Sequence, residues 1–190
     1  MIRTGDIVHN PITGESIRFV ETAADTDGER VVIEVLVEPN GFVAAAHVHP
    51  YQTEVFEILE GEVTFKAGGE SIVASAGATV TVEPGTAHAF SNTGDVAARF
   101  RCEIRPALRF EQLIETMFAL ANDGKTNRKG MPNPLRLAVI ANAHFDDVRL
   151  PFPPAGMQKL GLLAGAPLGR LLGYRPTVDV ETPSEVSLAT

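Results

Sequence analysis

Residues Gly41 to Gly61 read GFVAAAHVHPYQTEVFEILEG. His47 and His49 stand two positions apart, and Glu54 follows five residues after His49. In an extended strand, residues i and i+2 point to the same face, so these two imidazoles can aim at one point. A following strand can return Glu54 to that point. A third histidine, His88, lies in PGTAHAFSN and can add a fourth donor from further along a sheet. Three neutral imidazoles and one carboxylate suit a first-row divalent metal that keeps open positions for water or substrate. A single buried histidine is more often a hydrogen-bonded core residue. Three histidines and a glutamate at this spacing reverse that expectation.

The surrounding text is β-like. SIRFVETA, RVVIEVLVEP, TEVFEILEGEVTFKAG, ESIVAS, ATVTVE and AARFRCEIR are rich in Val, Ile, Thr and Phe. Turn pairs such as Asp27-Gly28, Asn40-Gly41, Gly68-Gly69 and Pro84-Gly85 separate them. Many short strands at this spacing predict a barrel or sandwich. In RFRCEIR the arginines and Glu103 take one face, while Phe100, Cys102 and Ile104 take the other. Counting from an inward Glu54, Phe56 and Ile58 point inside and Glu57 points out. Phe90 and Asn92 share the parity of His88. Phe56, Ile58, Phe90, Phe100 and Cys102 are thus the candidate lining of an internal cavity, with Asn92 bracing a turn. Tyr51 and Gln52, between His49 and Glu54, are as readily loop-surface residues as site residues. His9 and His144 are expected on the surface or in helix packing.

After Pro106 the texture changes. Leu113, Ile114, Met117, Phe118, Leu120 and Ala121 recur at helical spacing. NPLRLAVIANAHF predicts a second helix, with Asn133 as N-cap and Pro134 as its first residue. GMQKLGLLAGAPLGRLLGY predicts one broken helix or two short ones, interrupted near Pro167. This stretch is short for a bilayer span and carries Lys159 and Arg170, so it is expected to cover the β-region or a partner subunit. ETPSEVSLAT at the end has the composition of a loose tail.

These residues resemble the cupin family. The spacing of Gly41, His47, His49, Glu54 and Gly61 is similar to the first signature motif of that family. GATVTVEPGTAHAFSN, residues 77–92, is similar to the second, with Gly85, His88 and Asn92 in place. Glu83 stands where the family usually has a proline, and Pro84 directly precedes Gly85, which implies a local adjustment of the turn. The resemblance covers roughly residues 30–105. It implies an all-β fold, an antiparallel double-stranded β-helix or jelly-roll barrel, over residues 1–106. Residues 107–190 then form an appended helical segment, and the β-barrel is expected to keep its metal without it. The resemblance further implies one divalent transition metal (Fe, Mn, Ni or Zn) held by His47, His49, Glu54 and His88.

Composition narrows the function. The chain has 190 residues and a net charge of −8, which argues against a nucleic-acid surface. No helix-turn-helix signature accompanies the β-region. One cysteine, Cys102, cannot form an internal disulfide, and MIRTGDIVHN shows no signal peptide, so a reducing cytoplasm is the expectation. The inward residues are mostly apolar and include no Lys or Arg cluster of the kind a phosphorylated substrate would need. A small, oxygenated, mainly apolar or aromatic substrate is expected. Two functions fit. One is an enzyme resembling the dioxygenase branch of the family, with the metal acidifying a substrate hydroxyl and Glu54 as base. Isomerase, decarboxylase and hydrolase relatives use the same ligand set. The other is a non-catalytic small-molecule or metal-binding module. A homodimer is expected, because the charge-poor C-terminal helices offer apolar surface.

Overall fold

The computed structural model describes residues 2–178. The tail at 181–190 lies outside the described residues. Nine strands precede three helices among those residues. β1 (Ile7–Asn10), β2 (Glu15–Glu21), β3 (Val31–Val37), β4 (Thr53–Glu60), β7 (Thr79–Val82) and β9 (Ala98–Arg105) form one sheet, in the order β1-β2-β3-β9-β4-β7. β5 (Glu62–Ala67), β6 (Glu70–Ser75) and β8 (His88–Ser91) form a second, in the order β6-β5-β8. All the strand pairs are antiparallel.

Alternation explains which face is packed. Along β9, Ala98, Phe100, Cys102 and Ile104 are buried, and the residues between them are more exposed. On the outer face Arg101 reaches Glu34 at 2.8 Å, and Arg99 and Arg105 pair with Glu60 and Glu29. The inner faces of the two sheets meet in one apolar core. Phe56 of β4 stands edge-on to Phe65 of β5 at 5.0 Å, and Phe90 of β8 to Phe100 of β9 at 5.1 Å. At the β4–β5 turn Gly61 has φ +70°, and an added Cβ would come within 2.9 Å of the Ala97 carbonyl oxygen, so glycine is required there.

The helical segment is built as its spacing predicts, with one difference. α1 (Phe110–Asn122) sends Phe110 and Phe118 into the β-core. α2 (Pro134–Ala143) starts on Asn133, whose side chain accepts the Arg136 backbone N–H. α3 (Ala155–Leu171) runs unbroken through Pro167. Proline removes one backbone N–H from the helix ladder. Pro167 and Leu163, four residues earlier, are both exposed, so water can satisfy the freed carbonyl. The opposite face of α3 needs glycine. A Cβ at Gly169 would meet the Leu135 carbonyl oxygen and Val139 Cγ2, each at 2.6 Å, so the two helices cross in close contact there.

β1 is a strand the composition did not signal. IVHN is only four residues long and includes two polar residues, and it forms by pairing with β2 at the sheet edge. No described helix is long and apolar enough to cross a membrane.

Candidate metal centre

The tripeptide His47-Val48-His49 is held from both sides. His47 exchanges backbone hydrogen bonds with His88, 2.9 Å each way. Val48 exchanges them with Arg149, at 2.8 and 2.9 Å. The next residue, His49, accepts the Gly85 N–H at its carbonyl, 2.8 Å, which ties in the turn before β8. Thr86 donates its N–H to the Glu83 carbonyl in the same turn, so glutamate at position 83 leaves a formed turn. Glu54 sits on β4, opposite Val82 of β7 and Ile104 of β9, and points inward.

This geometry brings together the four residues singled out in the sequence. One donor atom from each of His47, His49, Glu54 and His88 lies within 4.8 Å of the other three. His49, Glu54 and His88 are buried, and His47 is half-buried. His88 Nε2 is 2.8 Å from Glu54 Oε2, and His49 Nε2 is 3.7 Å from Glu54 Oε1. His88 Nε2 and Glu54 Oε2 are both buried and face each other, and neither has a hydrogen-bond partner elsewhere.

The other ring nitrogens are all occupied. Nδ1 of His47 lies 2.9 Å from the Ala45 carbonyl, that of His49 2.6 Å from the Asp147 carbonyl, and that of His88 3.1 Å from the Thr86 carbonyl. A carbonyl only accepts, so each Nδ1 carries a proton and each neutral ring presents its Nε2 lone pair to the centre. Three such lone pairs and a carboxylate form a donor set that fits a divalent first-row ion.

Charge is arranged to match. Burial, then the neighbouring His49 and His88, hold the His47 imidazole down to about 3, so it is neutral at pH 7. Burial alone would raise Glu54, but His49 and then His88 outweigh it and hold the carboxyl at about 2. Burial lowers His88, and the Glu54 carboxylate beside it more than reverses this. A proton and a metal ion would therefore compete for the same His88 lone pair.

Two cavities meet at the cluster. The smaller, about 70 Å³, lies inside the β-core and is lined by Phe56, Phe90, Phe100 and Cys102 together with His47, His49, Glu54 and His88. Burial pushes the Cys102 thiol well up, so it stays protonated. Ile58 is buried as expected but is not among the residues lining this cavity. The larger cavity, about 460 Å³, has walls from α1, α2 and α3 and includes His47 and His49. Leu113, Met117, Met131, Leu137 and Leu162 give it an apolar character.

Asn92, Tyr51 and His9 take places that the sequence reading allowed, whereas Gln52, His144 and Glu15 are buried. Gln52 is buried, and its amide donates to the Pro106 and Ala107 carbonyls at 2.9 and 3.1 Å, which pins the start of the helical segment. Tyr51 is exposed. Asn92 braces the turn after β8, donating to the Val37 and Val96 carbonyls and accepting from Gly94. His9 stays outside the site, against Ser16. His144 is fully buried and lines the larger cavity, with Nδ1 2.7 Å from Asp147 Oδ2. Glu15 is buried and lines both cavities, a residue not singled out from sequence although it shares the inward parity of Ile17 and Phe19 along β2.

Residues 33–104, which hold the inward His/His/Glu/His cluster, match the family model for the cupin domain. The chain therefore carries a cupin domain. Over 80 residues it is 32% identical to quercetin 2,3-dioxygenase of Bacillus subtilis (strain 168), a stretch that is 42% of this chain and 23% of that enzyme. The chain thus spans under a quarter of the length of this curated relative. Among solved structures, a predicted oxalate decarboxylase from Thermotoga maritima aligns at 22% identity and TM-score 0.48, over 56% of this chain and 98% of that one. An RmlC-like cupin from Shewanella frigidimarina aligns at 15% identity and TM-score 0.47, over 58% and 93%. Likeness at this level says nothing of activity.

Proposed function

We propose that this chain is a metal-dependent cupin enzyme with dioxygenase-like chemistry on a small, oxygenated, mainly apolar or aromatic substrate. In this reading residues 1–106 form the jelly-roll barrel and 107–190 an appended extension, whose α1, α2 and α3 wall the substrate cavity. His47, His49, Glu54 and His88 hold one divalent ion, Fe, Mn, Ni or Zn. The observation that carries the proposal is the shared wall: an apolar cavity of about 460 Å³, the size of a small-molecule site, includes two residues of the cluster. Similarity to part of a quercetin dioxygenase supports the choice of chemistry.

The bound ion would polarise a substrate oxygen and acidify its proton. The chain supplies the rest. Glu54 takes the proton at Oε2, the oxygen that faces His88 and has no other hydrogen-bond partner. With its pKa at about 2 the carboxylate is a weak base, so it accepts a proton only from a strongly acidified donor. The helices exclude bulk water and limit the size of the substrate. The test is oxygen consumption by the purified chain on a panel of polyphenol and enediol substrates, before and after chelation. Uptake that stops on chelation and returns with one added divalent metal is expected. A metal-loaded chain that consumes no oxygen with any of them would rule out the dioxygenase reading.

A further inference from the structure

His49 is held by a residue far outside the β-core. Its Nδ1 donates to the backbone carbonyl of Asp147, 2.6 Å away and 98 positions later in the chain. This carbonyl belongs to the short segment after α2, whose Arg149 bridges Val48. The side chain of Asp147 is itself fixed. Its Oδ2 accepts from His144 Nδ1 at 2.7 Å and pairs with Arg109 Nη2 at 3.1 Å. Asp147 is 2% exposed and His144 0%, so the His144 contact lies away from solvent, while the Arg109 side chain is half-exposed. A charged, buried acceptor with two donors is costly to displace. Holding the carboxylate holds the peptide it sits on, and with it the carbonyl that orients the His49 ring.

We propose that Asp147 is a positioning residue for the metal centre, and that the helical segment completes the centre as well as covering it. This rests on the reading of the four-residue cluster as a metal site. Outer partners that orient a ligating imidazole fix its tautomer and direction, and their loss costs about 10- to 100-fold in metal affinity. His47 and His88 take their Nδ1 partners from two residues before each of them, within the β-region. Only His49 among the three depends on the extension. A chain ending at Arg105 would therefore lose the partner of one ligand and weaken its hold on the metal, contrary to the expectation from sequence that the β-barrel is self-sufficient.

The test uses the full chain with Co²⁺ alone as probe. Affinity is measured by competition with a chromophoric chelator, and ligand geometry by the visible spectrum of bound Co²⁺. The His49 Nδ1–H resonance is followed in metal-free, ¹⁵N-histidine-labelled protein and assigned by its loss in His49→Ala. Asp147→Ala is expected to weaken Co²⁺ about tenfold or more, alter the spectrum and shift or broaden the resonance. Asp147→Asn keeps an oxygen acceptor for His144 and should recover part of each effect. A folded Asp147→Ala with unchanged affinity and spectrum overturns the proposal, even if its thermal stability falls. If Asp147→Ala does not fold, His144→Ala carries the same test, and unchanged affinity and spectrum in that variant overturn the proposal. A wild-type chain that takes up no Co²⁺ refutes the metal reading instead. The metal-free resonance in the variants then decides the positioning claim alone.

Discussion

Replacing Glu15 by glutamine should stabilise the protein in a way that depends on pH. Glu15 opens β2 and is 5% exposed, with its carboxyl at the junction of the two cavities. Burial raises it from 4.5 to about 7, with the Thr13 hydroxyl offsetting part of the rise. Below about pH 4.5 both the folded and unfolded chains hold the proton, and the group costs nothing. As pH rises toward 7 the unfolded chain releases its proton first, and folding loses stability. Above the folded value the loss is complete. A gap of about 2.5 pH units at about 1.36 kcal/mol per unit gives roughly 3 kcal/mol at about pH 8, and under about 1 kcal/mol at about pH 5. Glutamine has nearly the same shape and does not titrate. The advantage of Glu15→Gln over wild type should therefore grow by about 2 to 3 kcal/mol between those two pH values. Urea unfolding of both proteins at each pH, with chelator present to keep metal linkage out, measures it. An advantage that is the same at both pH values would refute the buried, protonated carboxyl.

Other outcomes follow from the same geometry. His49→Ala should reduce the metal content of the purified protein severalfold or more, as read by elemental analysis, because it removes one of the four donor side chains of the cluster. Gly169→Ala should lower the thermal midpoint, at a cost of about 1 to 3 kcal/mol, because its Cβ would strike the Leu135 carbonyl and Val139; an unchanged midpoint would mean α2 and α3 can separate freely. Met157, Leu160, Leu168 and Leu171 leave one face of α3 apolar and exposed, so light scattering should give twice the 20.3 kDa chain mass at micromolar concentration. Leu160→Glu should shift that mass toward the monomer, and a wild-type mass near 20.3 kDa would refute the dimer.

The cluster was legible because ligation imposes spacing. Two histidines two positions apart on a strand can serve one ion, and the pattern survives in the sequence whatever the rest of the chain does. Phe56, Phe90, Phe100 and Cys102 followed from parity with Glu54 and His88, since strand alternation is fixed by covalent geometry. The contributions of His144 and Asp147 left no such trace. An i, i+3 pair of His and Asp is common on any helix end, and its link to His49 spans 98 positions and runs through a backbone carbonyl, which any residue type supplies. Glu15 was hidden for a similar reason. It shares the inward parity of Ile17 and Phe19 along β2, but it stands at the strand entry in GESIRF, where a charged residue is expected at the surface. Local propensity predicts a break at Pro167, but its exposed position makes the lost hydrogen bond tolerable.

His47, His49, Glu54 and His88 are proposed to hold one transition-metal ion. Anomalous X-ray diffraction from crystals of the chain, collected on both sides of the absorption edge of the metal found by elemental analysis, tests it most directly. One anomalous peak among the four side chains is expected, about 2.0–2.2 Å from each Nε2 and from a Glu54 oxygen. No peak there in crystals grown with the metal, or a peak held by other residues, would contradict the account.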